Sequence, residues 1–149
     1  MVARFTSKAV ELPEREAGAD FYRADLAFYG VDHSGSSYEA RVFLNHPGAN
    51  VSTPRDHPSY AGSFHVFGHG GCFGDKGHCD IPEDEPDPFD LRPPHQLTPA
   101  TKTVIVTEAL RRNASPSDGS LKVTVVAEAP GDESNSVLSF DTVRLLTYD

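Results

Sequence analysis

Tryptophan is absent from this 149-residue chain, methionine occurs once and cysteine twice. Two cysteines admit a single internal pairing, Cys72 with Cys79, so a disulfide-dense scaffold is excluded. No apolar run approaches the roughly 18 residues that a membrane-spanning helix needs, and a membrane is not expected as a partner. Positive charge is scarce: 13 Lys and Arg stand against 22 Asp and Glu, a formal net charge of −9. That balance repels phosphate backbones and argues against nucleic acid as a partner. The opening "MVARFTSKAVELPEREAG" lacks the apolar core of a secretory leader. On that reading the chain is cytoplasmic, is exported in association with another chain, or is excised from a longer one.

What is plentiful points to strands. Twelve prolines and twelve glycines interrupt the chain too often for long helices and suit short strands joined by turns. Residues 22–30 alternate, with Tyr22, Ala24, Leu26 and Phe28 on one side. Residues 37–45 repeat the pattern with Tyr38, Ala40, Val42 and Leu44, and 120–129 do so with Leu121, Val123, Val125 and Ala127. Period-two alternation marks a strand with one face on a core. Further strands are expected at 61–68, 101–110 and 136–148, with one helical turn within "TEALRRN" that ends by Asn113 and Pro116. The expected fold is therefore all-β, a jelly-roll-like antiparallel sandwich forming one domain over 1–149.

Residues 68–99 break the rhythm, with six prolines and an acidic knot from Asp80 to Asp90. A stretch this long without periodicity is uncommon in a compact domain and is usually functional or disordered. Just before and within it, "SFHVFGHGGCFGDKGHCD" (63–80) gathers three of the seven histidines, both cysteines and five glycines. Three readings stay open. Cys72 and Cys79 form a disulfide that pins the loop, stabilising the fold by about 2.5 kcal/mol from chain entropy. Alternatively His65, His69, His78, Cys72 and Cys79 supply ligands to one copper or zinc ion, as imidazole and thiolate suit both. In the third, the loop is a contact surface, with Phe73 or Phe89 as the side chain that enters a partner. His33 and Ser34 lie near aspartates, but no strand-turn-helix elbow is present to hold a nucleophile. The prolines among Asp80, Glu83, Asp84, Glu85, Asp87 and Asp90 break the loop geometry that calcium uses.

The segments "EARVFLNHPGA", "YAGSFHVFGH", "TKTVIVTEALRR", "LKVTVVAEAP" and "VLSFDTVRLLTYD" resemble the C-terminal domain of polyphenol oxidases and tyrosinases. Ala61-Gly62-Ser63-Phe64 matches that family's Ala-Gly-Ser-Phe strand, and Thr107-Glu108-Ala109-Leu110 nearly matches its Thr-Glu-Leu-Leu turn. Glu39-Ala40-Arg41-Val42 departs, keeping only the valine of a Lys-Phe-Asp-Val strand. The resemblance implies a β-sandwich related to the domain closing each unit of molluscan haemocyanins. It further implies a non-catalytic domain that packs over a binuclear copper oxidase domain, in the same polypeptide or another, and shields its site. Oxidation would belong to that helical partner, whose six copper-binding histidines have no counterpart here. Two alternatives remain: a small mononuclear copper or zinc protein or enzyme built on 65–79, and a metal-free interaction domain.

Overall fold

The computed structural model describes residues 2–6, 10–11, 21–69, 88–89, 97–113, 120–129 and 138–149, with backbone alone for 2–6, 10–11 and 120. The strands are β1 (Val2–Thr6), β2 (Val10–Glu11), β3 (Arg23–Val31), β4 (Tyr38–Leu44), β5 (Tyr60–Val66) and β6 (Ala100–Ile105). Helix α1 (Thr107–Asn113) follows, then β7 (Ser120–Leu121), β8 (Val123–Glu128) and β9 (Thr142–Tyr148). One sheet runs in the order β1-β8-β4-β5 and another in the order β6-β3-β9, with β2 and β7 paired separately. Every pairing is antiparallel. The architecture is the all-β sandwich that the alternation predicts.

The inward rows are the ones expected from the sequence. Ala24, Leu26 and Phe28 of β3 are buried with Tyr38, Ala40, Val42 and Leu44 of β4 and Val123, Val125 and Ala127 of β8. Aromatic rings fill one part of this core: Phe28 lies 4.9 Å from Phe64 and 5.3 Å, edge on, from Phe140. Tyr22 is the exception. It precedes β3, and its side chain is 80% exposed. Where β5 departs from regular pairing with β4, between Val42 and Phe43, Gly62 takes φ +138. A Cβ there would sit 2.7 Å from Val104 Cγ1 of β6, so glycine lets the edges of the two sheets meet.

The helix is longer than the single turn the sequence suggests. Glu108 in its first turn and Arg111 and Arg112 in its last suit the helix dipole. Ala109 and Leu110 are buried against the core. Asn113 Nδ2 donates to Pro58 O at 3.0 Å, and Asn113 O accepts from Asn45 Nδ2 at 2.7 Å. Those bonds tie α1 to the chain on either side of residues 46–57. Residues 45–59 cover the outer face of the four-stranded sheet, where Phe43, Ala49 and Val126 form a second cluster with Tyr60. Beneath it Arg41 donates to Thr53 O at 3.0 Å and to Val51 O at 2.8 Å. Among the described residues no helix is long and apolar enough to cross a membrane.

Candidate partner surface and histidine cluster

One end of the sandwich gathers four chain segments. The β3–β4 loop, residues 32–37, meets the chain leaving β5, the chain entering β6 and the chain entering β9. Asp32 N–H donates to Ser139 O at 2.9 Å, and Asp141 N–H donates to Tyr29 O at 2.9 Å. Gly68 N–H donates to Ser37 Oγ at 3.0 Å. His69 N–H donates to His33 O at 2.9 Å, while His33 Nε2–H donates to Thr98 O at 2.6 Å. His33 thus holds both stems of the 70–96 stretch. The chain leaves this end at His69 and returns to it at Leu97.

The candidate residues fall into separate places. His65 lies on the outer face of the four-stranded sheet, where its Nε2 is 3.9 Å from Glu39 Oε1, and Arg55 Nη2 donates to the same carboxylate at 2.7 Å. His69 packs instead on His33, ring centres 5.0 Å apart and planes at 72°. Its Nδ1–H also reaches His33 O at 3.3 Å. The structure therefore gives His65 and His69 different neighbours. Among the described residues no group of three or more His, Cys, Asp or Glu side chains converges to hold a metal ion. Cys72, Phe73, His78, Cys79 and the carboxylates from Asp80 to Asp87, with Asp90, lie outside the described residues. Phe89 is described and is 93% exposed.

Phe67 joins this surface. It is 87% exposed and directly follows the last residue of β5. The signal was present: Phe64 and Val66 point into the core, so His65 and Phe67 must point out. Ser34 serves the loop rather than any nucleophile. Its N–H donates to Asp32 Oδ1 at 2.9 Å. That N–H and the Ser34 hydroxyl together hold the Asp32 carboxyl below the usual carboxylate range. His46 and His57, both beside proline, stack on one another with centres 4.6 Å apart and planes within 19°. His57 Nδ1 is 2.6 Å from Ser59 Oγ.

Beneath the loop, the Tyr38 hydroxyl is buried with no hydrogen-bond partner among the described residues. Burial, reinforced by the negative charge of Asp32, pushes it up to about 12. An unfolded tyrosine ionises near pH 10. The fold therefore favours the neutral phenol; this contribution is whole below about pH 10 and is lost as pH rises through about 12. Denaturant midpoints are expected to fall across that window, and to fall less in Tyr38→Phe. At neutral pH the same variant should be as stable as the parent or slightly more so, because a buried unpaired hydroxyl is removed. Equal alkaline losses in both proteins would count against this account.

The fold and this end of it define an antiparallel β-sandwich carrying an exposed phenylalanine, Phe67, and a histidine pair. No family model matches the chain, and no curated protein matches it. Solved structures do. Recombinantly expressed latent aurone synthase, a polyphenol oxidase, superposes with TM-score 0.56 at 19% identity, covering 97% of this chain and 24% of that one. The same enzyme from its natural source gives TM-score 0.53 at 19% identity, covering 98% and 24%. The chain thus spans about a quarter of the length of the polyphenol oxidase whose fold it shares. The resemblance seen in the sequence motifs is matched in three dimensions as a likeness of fold.

Proposed function

We propose that this chain is a non-catalytic covering domain that packs over a binuclear copper catalytic domain of the polyphenol oxidase type and keeps it latent. One observation carries the reading: almost the whole chain superposes on a quarter of a latent polyphenol oxidase, leaving the remainder of that protein as the body to be covered. Exposed phenylalanines supply the means. Phe67 and Phe89 hold large apolar surface in water, at a cost of about 25 cal/mol per Å² that a partner's pocket would remove. Phe73 belongs to the same reading, from its place in the sequence. Oxidation chemistry would then reside in the partner, on copper held by the partner's histidines.

A chimera tests this. The corresponding quarter of latent aurone synthase is replaced by this chain, and catechol oxidation is followed before and after limited proteolysis that removes it. Expected are a low initial rate, a rise of at least tenfold on removal, and a higher initial rate in a chimera carrying Phe67→Ala and Phe89→Ala. A chimera as active as the isolated catalytic domain would overturn the covering role and leave a plain interaction domain.

A further inference from the structure

We propose that Asn50 is the attachment point for an N-linked oligosaccharide in the exported form of the chain, and that Asn113 is not. Both asparagines head the Asn-x-Ser/Thr triplet that the oligosaccharide transferase of the secretory compartment reads, as Asn50-Val51-Ser52 and Asn113-Ala114-Ser115. In sequence the two are equivalent. The fold separates them. The site is independent of the covering role and of the histidine-rich stretch.

Asn50 lies within residues 45–59, and Asn50, Val51 and Ser52 are all exposed. The bonds that shape this turn run through every polar group of Asn50 except the one a sugar would take. Its backbone N–H donates to Thr53 Oγ1 at 3.0 Å, and its backbone carbonyl accepts from Thr53 N–H at 3.0 Å. Its side-chain oxygen accepts from Ser52 N–H at 2.8 Å, an Asx turn. The amide nitrogen Nδ2 makes only a long contact, 3.4 Å, to Gly48 O. A sugar replaces one of the two hydrogens on that nitrogen and leaves the carbonyl oxygen untouched. The second hydrogen remains for Gly48 O, and the turn survives attachment.

Asn113 is the opposite case. Its Nδ2 donates to Pro58 O at 3.0 Å and to Ala109 O at 2.8 Å, which uses both hydrogens. Those bonds close the end of α1 and tie it to the chain entering β5. Attachment would take one of the hydrogens and set a bulky group between the helix and residue 58. Whether transfer precedes or follows folding, folded molecules therefore carry the sugar at Asn50 alone.

In the transfer, Asn50 Nδ2 attacks C1 of an oligosaccharide carried on polyprenyl pyrophosphate. The N–C1 bond forms as the bond from C1 to the phosphate oxygen breaks. One amide proton passes to a base of the transferase, and polyprenyl pyrophosphate leaves.

The intact chain, directed into the secretory compartment of a eukaryotic host by an added leader, tests the assignment. Folded protein recovered from the host is treated with a glycan-releasing amidase in heavy-oxygen water. The amidase turns each glycosylated asparagine into a labelled aspartate, which peptide mass mapping locates. Expected are label at position 50 and none at position 113, loss of all label in Asn50→Gln and in Ser52→Ala, and label kept at position 50 in Asn113→Gln. A sugar-free product, label at position 113 in folded molecules, or label surviving in Asn50→Gln would each overturn the proposal. The map of the unsubstituted protein decides between the two sites even if Asn113→Gln fails to fold.

Discussion

Gly68→Ala is expected to destabilise the fold by about 3 kcal/mol, the upper part of the range for forcing extra atoms into packed structure. The reason is contact with backbone, which cannot swing aside as a side chain can. A Cβ on Gly68 would lie 2.1 Å from Gly35 O, 2.3 Å from Ser36 C and 2.5 Å from Ser37 N. Relieving the clash means separating the end of β5 from the β3–β4 loop. The bonds from Gly68 N–H to Ser37 Oγ and from His69 N–H to His33 O would then be strained or lost. Chemical denaturation measures the effect. Gly35→Ala is the control, since nothing lies within 4 Å of a Cβ there. It should change stability by no more than about 1 kcal/mol, in either direction. Similar losses in both variants would refute the packing argument.

A comparable loss, about 3 kcal/mol, is expected for Arg41→Met, which keeps much of the side-chain volume and removes the charge. Arg41 is 8% exposed, and its guanidinium donates to Thr53 O and Val51 O. Its carboxylate neighbour Glu128 is 3.9 Å away and mostly exposed, so the backbone carbonyls do most of the neutralising. Hydrogen bonds to a charged group contribute about 1.5–3 kcal/mol each, and carbonyls left buried without a donor add a penalty. The damage should be local first. Hydrogen exchange ought to quicken in residues 45–59, which Arg41 anchors to the sheet, before it does in β3 or β9. Uniform acceleration throughout the sandwich would show that Arg41 supports the whole core instead.

Much of the sandwich could be read from alternation, because a strand with one buried face writes its orientation into every second residue. The rows from Tyr38 to Leu44 and from Leu121 to Ala127 are buried as their spacing demands. Alternation locates a strand less well at its ends: Tyr22 continues the row of β3 in sequence but projects into solvent. β1 and β2 escaped the reading for another reason. Five and two residues long, they are defined by pairing with β8 and β7, more than 100 residues away. In α1, local charge and propensity announced one turn; burial of Ala109 and Leu110 supplies support that the sequence does not display. The histidine pair was hidden by distance. His33 and His69 are 36 residues apart and meet only because the β3–β4 loop folds against the exit from β5. Proximity in sequence had instead grouped His69 with Cys72 and His78.

The two stems held by His33 mean that the 70–96 stretch begins and ends at nearly one point. By closure entropy alone, doubling the number of residues between two such fixed ends costs only about 0.6 kcal/mol. A cut within the stretch would not divide the molecule either. β8 inserts between β1 and β4, and β3 lies between β6 and β9, so each major sheet mixes strands from before and after the stretch. The severed halves would remain one body, two chains interleaved through both layers and parting only when the sandwich itself unfolds.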